Sequence, residues 1–325
     1  MTSHDVKAFA AAGPAFAALE QLGPIDWALW RTAADRLEHR LAGAPDLARR
    51  IHHLYVPVLA FAAAQARASR RHPVFIGMQA PQGGGKTTLV THTLALLPEL
   101  GLRGAGVSID DFYLTREEQL RLAAAHPGNP YLEHRGYPGT HDVGLGERTL
   151  NALAGLGRDA DGRATRVPVY DKSAHGGRGD RAPDTAWRDV SAPLDLVFIE
   201  GWMFGFTPVP DASITDAHFR APNRALEAYE RWYRFLDAFV LLRATDPNFV
   251  LKWRVEAEEA AKAQGKPGLD RAAIEDYVRR FLPAYARYAG GAPPNVPAGR
   301  RLVIGLDERR RPVRAPGTSA IPGAV

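Results

Sequence analysis

The residues best suited to chemistry begin at position 80. Ala80-Pro81-Gln82-Gly83-Gly84-Gly85-Lys86-Thr87 has the spacing of a Walker A loop, with alanine in place of the first consensus glycine. Gly83, Gly84 and Gly85 let backbone N–H groups turn inward onto phosphate oxygens. A helix opening near Lys86 would point its positive end at the same anion. Lys86 offers a point charge to the β- and γ-phosphates, and Thr87 a hydroxyl to Mg2+. Thr88, next in the chain, is a further candidate for binding phosphate. The pattern points to ATP with Mg2+ as cofactors.

Carboxylates follow at the ends of two apolar runs. Ser108-Ile109-Asp110-Asp111-Phe112-Tyr113 closes one, and Leu196-Val197-Phe198-Ile199-Glu200-Gly201-Trp202 closes the other. Ligands of parallel sheets bind beyond the carboxyl ends of the strands, so these acids are expected in the site. Adjacent carboxylates on an extended chain alternate in direction, so one of the pair is expected to face the phosphates, and Asp110 is taken as that one. It would accept a proton from a substrate hydroxyl or help to hold Mg2+. Glu200 has the place of a Walker B acid and would orient Mg2+ through water, since that ion keeps several of its waters.

These residues need strands to stand on, and the pattern supplies them. Short apolar runs predict strands over 74–78, 105–109, 194–199, 238–242 and 301–304. Helical stretches fall at 87–97, 222–236, 249–264 and 271–288. Strands alternating with helices predict an α/β fold: a P-loop NTPase-type parallel sheet flanked by helices. Before it, Asp26 opens a helix that carries Trp30, Ala33, Ala34, Leu37 and Leu41 at helical spacing and ends at Gly43. A second helix is expected over 46–70, with His52 and His53 as surface or packing residues. The organisation is therefore a helical N-terminal segment (1–72), a P-loop domain (73–308) and a loose tail rich in Arg, Pro and Gly (309–325).

Composition narrows the class. The chain has 325 residues, 46% hydrophobic and 24% charged, which is ordinary for a globular protein with a core. There is no cysteine, which rules out disulfides, thiolate metal sites and a cysteine nucleophile. The formal charge is +5, and only six of the 41 basic residues are lysines. The basic residues are scattered, so nucleic acid is not an expected partner. The longest nearly apolar run, Tyr55 to Ala64, is too short to span a bilayer, and no signal pattern opens the chain. A cytoplasmic protein with no membrane contact is expected.

Several segments, taken together and in order, resemble one family. They are Ala80-Pro-Gln-Gly-Gly-Gly-Lys-Thr-Thr-Leu89, Ser108-Ile-Asp-Asp-Phe-Tyr-Leu-Thr115, Tyr170-Asp-Lys-Ser173, Gly177-Arg-Gly-Asp-Arg181 and Glu200-Gly-Trp-Met203. They look like D-glycerate 3-kinase of the plant and fungal P-loop type and, more distantly, are similar to uridine kinase, phosphoribulokinase and bacterial pantothenate kinase. The resemblance implies transfer of phosphate from ATP to the 3-hydroxyl of D-glycerate. It implies Asp110 as general base, Glu200 as Walker B acid, and Tyr170, Asp171 and Lys172 along the acceptor site. It also implies a lid helix in which Arg254, with Lys252 nearby, reaches the transferring phosphate; Lys86 and Arg254 join Asp110 and Glu200 as the catalytic set. Gly84 stands where many plant-type members have cysteine, and 128–136 matches the family pattern only in part.

A glycerate pocket needs a cation for its carboxylate. Arg135, Lys172, Arg178 and Arg181 are the candidates, with His141, Asp142 and Tyr170 as polar partners. The stretch 168–183, with Gly176, Gly177 and Gly179, is too long for a tight turn and fits a functional loop. His134 and His141 lack the spacing of a transition-metal site. Two other readings stay open: a kinase of another hydroxylated acceptor, nucleoside or pantothenate-like, and an ATP-binding regulatory protein without turnover.

Overall fold

The computed structural model describes residues 3–263, 271–288 and 291–316. Gln264, the predicted end of one helix, and residues 317–325 of the tail lie outside them. Among the described residues the chain forms strands β1 (Val74–Gln79), β2 (Gly104–Ser108), β3 (Ala164–Val167), β4 (Tyr170–Asp171), β5 (Asp180–Arg181), β6 (Arg188–Ser191), β7 (Leu196–Gly201), β8 (Ala238–Ala244), β9 (Arg301–Leu306) and β10 (Pro312–Val313). The main sheet has the order β10-β9-β8-β1-β7-β2. Its pairings are parallel except for β10, which lies antiparallel against β9. All five predicted strands are present, within one or two residues at most boundaries.

The strands alternate strictly in what they bury. Phe75, Val197, Ile199, Phe239 and Leu241 enter one apolar cluster, while Val74, Ile76, Met78, Leu196, Phe198, Val240 and Leu242 enter another. A period of two sends neighbouring side chains to opposite faces, so both faces of this sheet are covered. The first cluster packs on Trp232, Tyr229 and helix Arg271–Tyr288. The second packs on the N-terminal helices through Trp30, Leu37, Ile51, Val58 and Phe61. Segment 1–72 thus shares a core with the sheet. Each fully buried aromatic ring there removes about 150–250 Å² from water, worth about 4–6 kcal/mol before the cost of ordering it.

Local chemistry accounts for the helix ends. Asp26 caps helix Trp27–Arg40, its Oδ1 accepting from the Leu29 N–H at 3.0 Å. The predicted second helix runs as Leu47–Arg50, a wider π-helical turn Ile51–Tyr55, and Val56–Ala68. His52 and His53 are buried packing residues. Trp30 Nε1 donates to His52 Nδ1 at 3.0 Å, and His53 Nε2 donates to the Phe9 carbonyl at 2.7 Å.

Other expectations need correction. The helix predicted over 222–236 is broken into Arg220–Ala225, a 3-10 turn Leu226–Tyr229, and Glu230–Tyr233. Helices Arg116–Ala125 and Val143–Ala154 and the ribbons β3–β6 and β4–β5 were not anticipated. The tail is not loose from Arg309: β10 pairs with β9 and Ala315 is buried. No helix among the described residues is long and apolar enough to cross a membrane.

Burial holds the His52 and His53 rings below their ordinary pKa of 6.5. Above 6.5 both rings are neutral in the folded and the unfolded chain. As pH falls below it, the unfolded chain takes up protons that the buried rings refuse, so stability drops. The melting temperature is expected to fall between about pH 7 and about pH 5.5, and His52→Gln to make that slope shallower. Identical slopes in a thermal melt series would exclude His52 as a contributor.

Candidate active site

The phosphate loop leaves the buried strand β1 and turns at Gly83 and Gly85, with φ +74° and +86°. Both lie in the left-handed region that favours glycine. Gly83 has a second reason: a Cβ there would stand 2.8 Å from the Trp253 Cβ of helix Phe249–Ala263. The loop is closed by the Gly84 N–H donating to the Pro81 carbonyl at 3.0 Å, and by the Gln82 N–H donating to the Tyr285 hydroxyl at 2.9 Å. Lys86 then begins helix Lys86–Leu96 directly after Gly85. Thr87 and Thr88 are exposed on its first turn.

Strand register brings the first acid to the loop. Glu200 is flanked by Met78 on β1 and Ser108 on β2. Its side chain is buried. Thr87 Oγ1 donates to Glu200 Oε1 at 3.0 Å, and Lys86 Nζ lies 3.9 Å from Oε2. Oε2 has no hydrogen-bond partner among the described residues.

The second acid follows β2 on a 3-10 turn, Ile109–Phe112. Asp110 Oδ2 lies 2.5 Å from Lys172 Nζ, on the loop between β4 and β5. Its Oδ1 is buried without a hydrogen-bond partner among the described residues. Burial opposes the charge, but the ammonium groups of Lys172 and Lys86 outweigh it and hold this carboxyl well below the usual range. Asp111 faces the other way. It accepts from the Tyr170 N–H at 3.3 Å and from Arg188 Nη2 at 3.4 Å, and burial pushes its carboxyl up despite Arg188. One acid of the pair meets the loop and the other ties down β4.

His141 lies deep beside Asp110. Its ring stacks on Tyr113 at 4.3 Å, and Nδ1 is 2.7 Å from the Tyr229 hydroxyl. Nε2 is buried with no partner among the described residues. Burial lowers the ring's pKa to about 3 against the pull of Asp110, so His141 is neutral at pH 7. Arg181 Nη2 donates to the Tyr113 carbonyl at 3.0 Å and lies 3.4 Å from Asp142 Oδ2. Tyr170 is buried edge-on to Tyr113 at 5.3 Å.

Other expected site residues make contacts within the protein. Asp142 caps helix Val143–Ala154 through the Leu145 N–H at 2.8 Å. Asp171 is exposed and accepts from the Ser173 N–H and hydroxyl. Arg135 braces the 172–178 loop, donating to the carbonyls of Lys172, Gly177 and Arg178 with its guanidinium over the Tyr170 ring. Arg178 lies against His134. Arg254 pairs with Glu258 one turn along its own helix, and Lys252 with Glu308 at 2.8 Å. Lys252 therefore faces the β9–β10 loop rather than the phosphates.

The donor set suits a phosphate-bound Mg2+. Among the described residues no three His, Asp or Glu side chains converge. Mg2+ on a nucleotide needs no such cage, because it is bound through one or two protein oxygens together with phosphates and water. The Thr87 hydroxyl and the unpartnered Oε2 of Glu200 fit that role.

No protein-family model matches the chain. It is 36% identical over 258 residues to the uncharacterized kinase mug58 of Schizosaccharomyces pombe, covering 74% of this chain and 90% of that one. It is 39% identical over 281 residues to the chloroplastic D-glycerate 3-kinase of Arabidopsis thaliana. The chain belongs to the same kinase family as mug58. The match to the plant enzyme covers 82% of this chain but spans only 61% of that enzyme's length. Among solved structures, a D-glycerate 3-kinase from Cryptococcus neoformans matches with a TM-score of 0.71 and 28% identity, over 79% of this chain and 96% of that one. The α/β P-loop kinase fold expected from the motifs is the fold observed.

Sequence reading missed three residues of this family member's site region. Tyr113 and Tyr229 hold His141, but each looks like an ordinary core aromatic in sequence. Arg310 sits in Glu308-Arg309-Arg310-Arg311, where composition suggests only a solvated tail.

Gly83→Ala would place a side chain in the left-handed region and against Trp253. A stability loss of about 1–3 kcal/mol is expected, together with weakened nucleotide binding. Thermal melts and titration with a non-hydrolysable ATP analogue check this; wild-type values in both would show that the Gly83–Trp253 approach is not a constraint.

Proposed function

We propose that this chain is an ATP-dependent kinase that transfers the γ-phosphoryl group of ATP to the 3-hydroxyl of D-glycerate, giving ADP and 3-phosphoglycerate. The observation that carries the reading is Asp110. It is held ionised next to the phosphate loop, with one oxygen on Lys172 and the other buried and unpartnered among the described residues. A general base needs an ionised form and an open acceptor atom within reach of the hydroxyl it deprotonates.

In this reading ATP lies with its β- and γ-phosphates on Gly83, Gly84, Gly85, Lys86, Thr87 and Thr88. The acceptor hydroxyl donates to Asp110 Oδ1. As its oxygen forms a bond to the γ-phosphorus, the bond from that phosphorus to the β-bridging oxygen breaks, and the hydroxyl proton passes to Asp110. Lys86 balances charge on the β- and γ-phosphates, and Arg254 turns from Glu258 to the transferring group when the acceptor is bound. Mg2+ on Thr87 and Glu200, with Asp110 alongside, would neutralise phosphate charge.

Glycerate carries its carboxylate two carbons from the 3-hydroxyl. A cation that meets the one must stand close to the base that meets the other, and Lys172, at 2.5 Å from Asp110, meets that condition. Arg181, Tyr170 and the neutral His141 supply polar walls on the same side. Arg135 and Arg178 are assigned to shaping the loop that carries Lys172. A small-molecule acceptor is the only partner the reading requires. A cytoplasmic location belongs to the same proposal, supported by a cysteine-free chain that needs no oxidising compartment.

The test is acceptor-dependent ADP release with D-glycerate, L-glycerate, uridine and pantothenate in parallel. D-glycerate is expected to give the highest kcat/KM, with 3-phosphoglycerate as product. Activity with uridine or pantothenate alone would overturn the acceptor. ATP binding without turnover on any acceptor would overturn the kinase. Lys86→Ala is expected to abolish turnover. Asp110→Asn should lower kcat by about 10²–10⁴-fold while ATP affinity stays within a few-fold; unchanged kcat would reject Asp110 as the base. Lys172→Met should raise KM for D-glycerate by about tenfold or more, since a charge-assisted hydrogen bond is lost.

A further inference from the structure

The loop between β9 and β10 is built with unusual care for a surface turn. Asp307 organises it: its Oδ1 accepts from the Arg309 and Arg311 N–H groups at 2.9 and 2.8 Å, and its Oδ2 from Arg311 Nε at 2.7 Å. The Arg310 N–H donates to the Asp307 carbonyl at 2.8 Å. The turn so formed sets Arg310 in the left-handed region, at φ +59°. A non-glycine residue there stores strain that the surrounding contacts must hold.

Those contacts lead to two functional segments. Arg310 Nε donates to the Gly83 carbonyl in the phosphate loop at 2.7 Å, across 227 positions of sequence. Its Nη2 donates to the Trp253 carbonyl at 3.2 Å, and its Nη1 pairs with Glu256. The guanidinium also lies 5.4 Å over the Trp253 ring. Glu308 adds two contacts to the same helix: its carbonyl accepts from Trp253 Nε1 at 2.7 Å, and its carboxylate meets Lys252. A planar guanidinium can serve two carbonyls, a carboxylate and an aromatic face at once, which a lysine cannot.

We propose that Arg310 is a positioning residue for phosphoryl transfer: it locks the Gly83 peptide of the phosphate loop to helix Phe249–Ala263, so that the loop and Arg254 are held in one register. Arg254 follows Trp253 directly in that helix. A change in the loop when nucleotide binds is passed through Arg310 to the helix that bears Arg254, and the helix in turn holds the loop shaped for phosphate.

The inference rests on the kinase reading for its turnover arm only; the nucleotide-affinity arm stands without it. Arg310→Ala, Arg310→Lys and Glu256→Gln are compared with wild type in the full chain, with Arg309→Ala as a control from the same turn. Three quantities are measured: kcat and KM with D-glycerate, affinity for a non-hydrolysable ATP analogue, and melting temperature without nucleotide. Arg310→Ala is expected to lower kcat by about ten- to a hundredfold and to weaken analogue binding, with KM for D-glycerate within about threefold. Arg310→Lys should fall between, Glu256→Gln should show a smaller loss in the same two quantities, and Arg309→Ala should match wild type. Melting temperatures should stay close to wild type. Analogue affinity and kcat within twofold of wild type in Arg310→Ala would overturn the proposal, as would losses that merely track a lowered melting temperature. Should Arg310→Ala fail to fold, wild-type values in both Arg310→Lys and Glu256→Gln would overturn it equally. If no acceptor is turned over even by wild type, the kinase reading fails, and unchanged analogue affinity in Arg310→Lys decides against this one separately.

Discussion

The carboxylate of a residue only 4% exposed must be matched by donors or by positive charge, and at Glu200 both come from the phosphate loop. Thr87 and Lys86 reach it because β1 and β7 are adjacent and in register, with Met78 opposite Glu200. That adjacency requires a parallel sheet whose strands are apolar on both faces. The same register puts Ser108 on the other flank of Glu200, and two residues later Asp110 comes into the field of Lys86. One buried acid thus ties the loop, the sheet and the reacting end of the site together. Removing its matching donors would leave an uncompensated buried charge.

Much of this was legible in the residues. The loop, the two acids and the five core strands are local patterns: glycine spacing, short apolar runs and an acid at each run's end. The two acids do point apart, but from a 3-10 turn rather than an extended chain, and alternation alone did not say which of them faces the loop; the contacts of Asp111 with Tyr170 and Arg188 distinguish them. What was not legible depends on partners far away in sequence. Arg135 and Arg178 look like any carboxylate-binding arginine until the loop carbonyls and His134 are seen to occupy them. Asp142 could not be recognised as a helix cap while helix Val143–Ala154 was itself unpredicted. The tail misled for a compositional reason: Arg, Pro and Gly suggest looseness, whereas Asp307 gathers three backbone or side-chain donors and builds a turn.

The two sides of the site differ in how they are held. On the nucleotide side, backbone groups and buried strands fix nearly every position, and the Gly83–Trp253 approach leaves no room for a side chain. On the acceptor side, Lys172 reaches in from an exposed loop between two-residue strands, braced by Arg135. Few buried apolar contacts hold that loop, so it belongs to the part of the fold that opens at the least free-energy cost. In the proposed reaction, a site that grips a nucleotide yet admits a small acid at each turnover would be served by this division.

The N-terminal helices bear on how the molecule can be divided. Ile76, Met78, Phe198 and Val240, at the centre of the sheet, have Trp30, Ile51, Val58 and Phe61 in their cluster. Cutting the chain before β1 would strip that face and leave a wide apolar surface in water, of the kind that drives aggregation. The phosphate-binding half is therefore not a portable module. Its boundaries for any transplant or fusion lie outside the helical cover, and a shortened version would need a substitute layer to remain dispersed.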